Sequence, residues 1–184
     1  MSKKHLEVIL GEIRAVLSKL DDDELRQLIS AILHAQKIVS VGAGRVGMAV
    51  RGFAMRLGHL GLTSHVIGDA TVPSIADGDL LLVASGSGET ETIYQLVSIA
   101  KEHRAEVALI TGNPDSRMGK LADIIVKIEA PSKTKEVKGL KSVQPMTTLN
   151  EQSLAILFDM IVLSLMETMG ETHDTMWRRH SNLE

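Results

Sequence analysis

"LLLVASGSGETETI", residues 80–93, decides the fold. From Leu80 to Ala84 every residue is apolar, without the alternation of a half-exposed strand, so the run reads as a strand covered on both faces. It then breaks into Ser85, Gly86, Ser87, Gly88, Glu89 and Thr90, and resumes from about residue 89 as an amphipathic helix. Strand, glycine-rich turn and helix are the parts of a βαβ unit, and the neighbouring sequence repeats them. "KIVSVG" (37–42), "SHVIGD" (64–69), "EVALITG" (106–112) and "DIIVKI" (123–128) are short β-branched runs, mostly separated by helical segments. The expected class is therefore α/β, a three-layer sandwich with a five-stranded parallel sheet flanked by helices. In such sheets ligands bind outside the carboxyl ends of the strands, where the strand order switches.

The flanks complete one domain over 1–184. Residues 1–36 are a helical preface, with Leu6, Ile9, Leu10, Ile13, Val16, Leu17 and Leu20 on one stripe and "DDDEL" capping a second helix that ends near His34. The polar, lysine-rich stretch 130–146 has no period and reads as a mobile loop or a lid. The remaining long helix is apolar on nearly every side between Leu154 and Met166, interrupted by Asp159; such a helix is expected to be buried all round, which in a chain this small points to subunit contact.

Composition narrows the function. A chain of 184 residues, 44% hydrophobic, buries about 70% of its unfolded surface and folds without metal or disulfide. A net charge of -3 without a basic face disfavours nucleic acid and anionic membrane as partners. The absence of cysteine excludes thiolate chemistry and fits a reducing compartment. The N-terminus meets acidic residues too early for a secretory signal, and no apolar run reaches the roughly 18 residues of a membrane span. A cytoplasmic protein with a small-molecule ligand is expected.

Two glycine loops are candidates for that ligand. Gly42, Gly44 and Gly47 satisfy GxGxxG directly before a helix, and Asp69 follows the second strand roughly where a dinucleotide's ribose would need an acid. Against a dehydrogenase stands the short chain, which leaves little room for a substrate domain. The second loop, "SGSGET", sets Ser85, Ser87 and Thr90 hydroxyls beside the amides of a helix start, an arrangement suited to a phosphate monoester. The simpler alternative is Ser87 as an ordinary N-cap.

"GAGRVG", "FAMRLGHLG", "SGSGET", "SVQPM", "NEQS" and the ending "RHSNLE" together resemble the 6-phospho-3-hexuloisomerases of the sugar isomerase (SIS) family, over essentially the whole chain. The resemblance implies a flavodoxin-like SIS fold, a homotetramer, and interconversion of 3-hexulose 6-phosphate with fructose 6-phosphate without a cofactor. It also implies a functional partnership with a hexulose-phosphate synthase that fixes formaldehyde onto ribulose 5-phosphate. Val46 departs from the family pattern, which has a serine after the arginine of the first loop. A regulatory SIS module that binds phosphosugar without turnover is the alternative; no DNA-binding domain or basic recognition helix accompanies this one.

Moving a carbonyl between adjacent carbons requires a base, an acid and an anchor. Ser85, Ser87, Gly88 and Thr90 are the anchor, and Gly44 and Arg45 contribute from the first loop. Arg51 is a further candidate, although an ion pair on an exposed helix face accounts for it equally. Glu151 is the expected base, at the position the resemblance implies; as the last residue of Thr148-Leu149-Asn150-Glu151 it also fits a capping box. His59 is the expected acid, acting across a subunit boundary, with His180 second; His59 also suits a plain helix C-terminus. His5, His34, His65, His103 and His173 read as surface or structural. No spacing suits a metal, and none is expected.

Overall fold

A computed structural model describes residues 2–132, 137 and 139–183. Two N-terminal helices, α1 (Ser2–Leu17) and α2 (Asp22–His34), precede β1 (Ile38–Gly42), α3 (Gly44–His59), β2 (Ser64–Val66), β3 (Leu80–Ala84), α4 (Glu91–Glu102), β4 (Glu106–Thr111), β5 (Ile124–Lys127), α5 (Thr148–Met169) and α6 (His173–Trp177). All five strands are parallel, in the order β2-β1-β3-β4-β5. Chain order reverses between β1 and β3, so the crevice for a ligand opens at their carboxyl ends.

The layers follow from strand alternation. Leu80, Leu82 and Ala84 of β3, with Ala108 and Ile110 of β4, face a core filled by α1, α2, α3 and α5. Leu81 and Val83, with Val107 and Leu109, face the opposite core under α4 and two loops that supply Val72, Ile75, Met118 and Leu121. Phe53 of α3 stacks on Phe158 of α5 with ring centroids 4.3 Å apart, fastening the last helix over the first crossover helix. Asp21 caps α2 by accepting from the amides of Asp23 and Glu24, as its acidic start implied.

The differences from expectation are local. β2 stops at Val66 instead of running to residue 69, because it is a half-buried edge strand and the chain turns at Gly68. Helix α4 starts at Glu91, two residues late, because the loop amides of Gly88 and Glu89 are taken by serine side chains rather than by helix geometry. Helix α5 is not buried all round: Leu154, Leu157, Phe158, Ile161 and Leu165 enter the core, while Ile156, Met160 and Leu163 lie exposed on the other side, Leu163 by 60%. The expectation that no segment reaches membrane length also needs correction, since α5 is long and apolar enough by length and composition, with a mean hydropathy of 1.4. Its buried face packs against α3, α1 and α2. Residues 133–136 and 138 of the expected lid lie outside the described residues.

Candidate active site at the β1–β3 switch point

A cavity of about 360 Å³ occupies the predicted crevice, lined by the loops after β1 and β3 and by the start of α5. Its wall includes Gly44, Arg45, Val46, Ser85, Ser87 and Thr90, and closes with Thr147, Asn150 and Glu151. Helices α3, α4 and α5 all begin here. Three sets of unpaired helix-start amides, each with the positive end of a helix dipole, therefore converge on one space, a field that favours an anion.

The hydroxyl loop is arranged for donation. Ser85 Oγ accepts from Gly88 N and Ser87 Oγ from Glu89 N, both at 3.2 Å, so each hydroxyl spends a lone pair on the loop and keeps its hydrogen to donate. Thr90 is the N-cap of α4 but makes no side-chain capping bond, and Ser87 is not a cap at all. Gly88 has φ 66°, and a Cβ there would stand 1.9 Å from Ser116 Oγ, so backbone conformation and space both require glycine. In the first loop a Cβ on Gly47 would meet Gly42 O at 2.5 Å; that glycine serves close packing of α3 on β1.

Two carboxylates in and just after the hydroxyl loop, neither lining the cavity, are restrained. Arg117 donates through its backbone amide and Nε to Glu89, through Nη1 to Glu91, and lies 4.5 Å from the centre of the Tyr94 ring. The Arg117 backbone and side-chain bonds hold Glu89 below the usual carboxylate range; Gln95 and then Arg117 do the same for Glu91. Arg117 itself is raised, first by Glu89 and then by Glu91.

Glu151 sits at the start of α5 with its side chain 14% exposed. Thr147 Oγ1 donates to its Oε1 at 2.8 Å, and Arg45 Nε lies 3.2 Å from its Oε2. The capping box is not formed: Thr147, not Thr148, is the N-cap, and Thr148 Oγ1 donates to Pro145 O. The Glu151 carboxylate is held instead by the Thr147 hydroxyl at its own helix start and by Arg45 from the first loop.

The remaining candidates lie elsewhere. Arg51 pairs with Asp69 at 2.8 Å on the far side of β1, and neither lines the cavity, which removes Asp69 as a ribose-binding acid. His59, buried at the end of α3, and His180 from the tail come together with ring centroids 5.2 Å apart, and Trp177 stacks on His180 at 4.9 Å. Arg179 ties this tail down, donating to the His59 carbonyl and to Glu171. Neither histidine lines the cavity of its own chain. Val46 does line it and presents only methyl groups. Among the described residues no cluster could hold a metal.

Sequence reasoning passed over Asn150 and Ser132. Asn150 lines the cavity, is 4% exposed, and makes no side-chain hydrogen bond among the described residues. Ser132 Oγ, also in the wall, is buried without a partner among the described residues. A hydroxyl buried so costs about 1–3 kcal/mol. A lone asparagine or serine near a helix start carries no periodic signal, so only the folded geometry singles them out.

This architecture and cavity define a class: the chain belongs to the SIS domain family, which matches residues 31–156. Among its relatives, it is 39% identical over 176 residues to the 3-hexulose-6-phosphate isomerase of Bacillus subtilis (strain 168), spanning 96% of this chain and 95% of that one. It is also 39% identical to the 3-hexulose-6-phosphate isomerase of Mycobacterium gastri, over 98% of this chain and 90% of the other. A crystal structure from Methanococcus jannaschii, from which a 3-hexulose-6-phosphate isomerase function was inferred, superimposes with a TM-score of 0.83 at 30% identity, covering 98% of this chain and 99% of that one.

Proposed function

We propose that this chain is a 3-hexulose-6-phosphate isomerase, interconverting 3-hexulose 6-phosphate and fructose 6-phosphate through an enediol. The observation that carries the reading is Glu151, a carboxylate held at a helix start beside a hydroxyl loop able to anchor a phosphate monoester.

With the phosphate on Ser85, Ser87, Thr90 and the first amides of α4, the sugar chain extends toward α5. Glu151 removes the proton from C2, the electron pair forms the C2–C3 double bond, and the C3 oxygen takes a proton from an acid. The C2 oxygen then returns a proton to the conjugate base of that acid as the enediol collapses, and Glu151 returns its proton to C3. No electron is gained or lost overall, and no cofactor is required. The developing enediolate lies where three helix starts and Arg45 converge, which is where electrostatic stabilisation is most effective.

The acid is His59 from a neighbouring chain, a reading compatible with its place beside His180 and outside its own chain's cavity. The exposed stripe of Ile156, Met160 and Leu163 is the surface for such a neighbour in a tetramer. In the cell the enzyme is cytoplasmic and follows a hexulose-phosphate synthase that fixes formaldehyde onto ribulose 5-phosphate.

The test couples synthase, formaldehyde and ribulose 5-phosphate to this protein and reads fructose 6-phosphate. Product formation that depends on the chain and survives prolonged EDTA treatment supports the reading. Saturable sugar-phosphate binding without turnover would leave a regulatory module in its place.

A further inference from the structure

We propose that Asn150 is a substrate-contacting residue whose carboxamide hydrogen-bonds the sugar oxygens between which the carbonyl moves. The inference rests on the isomerase reading for those atoms, and on geometry for the contact itself. Asn150 is 4% exposed and lines the cavity, and its amide has no hydrogen-bond partner among the described residues. A carboxamide in a cavity wall with no protein partner keeps its donors and acceptor for what enters the cavity.

Its neighbours fix which part of the ligand it meets. Asn150 immediately precedes Glu151 in the first turn of α5. On its other side it lies against the hydroxyl loop, since a Cβ on Gly86 would come within 2.9 Å of Asn150 Nδ2. The amide thus stands between the residues that anchor phosphate and the carboxylate that moves the proton, opposite the middle of an extended sugar phosphate. A carboxamide suits that place because it offers donors and an acceptor together. Nδ2 donates to the oxygen that gains negative charge in the enediolate, and Oδ1 accepts from the neighbouring hydroxyl. Being neutral, it does this without pairing with Glu151 as a lysine or arginine would.

Asn150→Ala, assayed with 3-hexulose 6-phosphate, should lower kcat by about 10²-fold to 10³-fold, the usual loss for one such donor. Inhibition by inorganic phosphate should change less than about 2-fold, because the anchor is untouched. The ligand-free melting temperature should hold, since the variant loses no side-chain hydrogen bond seen among the described residues. A structural asparagine would instead lower the melting temperature and leave kcat nearly normal. Unchanged kcat in folded Asn150→Ala, or equal weakening of phosphate and substrate, overturns the contact.

A wild-type protein without turnover defeats the isomerase reading and leaves the contact to binding. Fructose 6-phosphate must then stabilise wild type more than inorganic phosphate does, and Asn150→Ala must erase that margin. Persistence of the margin overturns the contact independently of catalysis.

Discussion

Arg45 at the start of α3 and Glu151 in the first turn of α5 form an ion pair in the cavity wall, Nε to Oε2 at 3.2 Å. The other oxygen of Glu151 accepts from Thr147 Oγ1. In the resting site both oxygens of the expected base are therefore occupied. The pair is easily broken, because Arg45 is 59% exposed and such ion pairs contribute about 0–1 kcal/mol. An incoming phosphate or enediolate competes for the guanidinium and releases Oε2 for proton transfer.

Glu151→Gln tests this directly. Glutamine still accepts from Thr147 but takes no proton from carbon, so turnover should fall by roughly 10²-fold to 10⁴-fold with the melting temperature maintained. Arg45→Met should chiefly raise KM. Near-normal turnover in folded Glu151→Gln would mean that the base is another group.

The hydroxyl loop should act on binding more than on chemistry. Ser85→Ala, Ser87→Ala and Thr90→Ala together should weaken substrate and inorganic phosphate in parallel, since an anchor serves ground and transition states alike. Calorimetric titration with phosphate reads this without any assay. A folded triple variant with wild-type phosphate affinity would reduce the loop to a turn.

Arg117 gives the same loop a pH dependence. Glu89 and Glu91 are held below the ordinary value of 4.5, so in wild type they stay charged but paired as pH falls through that range. The stability this contributes is present above 4.5 and lost only as pH drops through the lowered folded values. Arg117→Met leaves Glu89 without its side-chain partner and Glu91 with Gln95 alone, in and just after the hydroxyl loop. The variant's sulfate affinity should be several-fold weaker at neutral pH, and the deficit relative to wild type should shrink as pH falls through about 4.5. A variant with the wild-type profile would show that Arg117 does not screen the site.

Much of this was legible from local pattern. Unbroken apolar runs gave the parallel strands, and the serine and glycine spacing after β3 located the cavity wall, because both signals are periodic or contiguous. What the sequence hid depends on distance. Glu12 in α1 accepts from Ser142 Oγ, Val143 N and Gln144 Nε2, contacts more than 100 residues apart that no window can see. Asn150 looked like part of a capping box because its distinguishing property, burial without a partner, exists only after folding. The exposed stripe on α5 was misread for a related reason: hydropathy reports that a helix is apolar, not how many of its sides one chain covers.

The Glu12 contacts carry their own expectation. They pin the segment entering α5, where Met146 adopts φ 56°, a backbone strain of about 1–3 kcal/mol that persists only if its surroundings enforce it. Burial alone would raise the Glu12 carboxyl, but the bonds from Ser142, Val143 and Gln144 outweigh it and hold the group below 4.5. Glu12→Ala should free the segment and let Thr147 drift from Glu151. A kcat loss of roughly 10-fold to 10²-fold is expected, with phosphate affinity unchanged. Parallel loss of phosphate binding would instead indicate damage to the whole site.

A shared site makes a stronger prediction, because it links the apolar stripe of α5 to catalysis. His59 lies outside the cavity of its own chain, and Glu151 lies within it. If a site draws Glu151 from one chain and His59 from its neighbour, Glu151→Gln and His59→Ala chains should each be inactive alone. Mixed after dissociation, a fraction of sites receives both native residues, and activity returns. Where each site is built within one chain, every site keeps one defect and the mixture stays at the sum of its parents. Sedimentation must first establish an oligomer, and labelled chains must demonstrate exchange. Leu163→Glu supplies the control: charge on the exposed stripe should dissociate the oligomer and abolish turnover while leaving phosphate binding in the isolated chain. A monomer that retained full activity would return His59 to a purely structural role at the end of α3, and would leave the acid to be found among the residues that line the cavity.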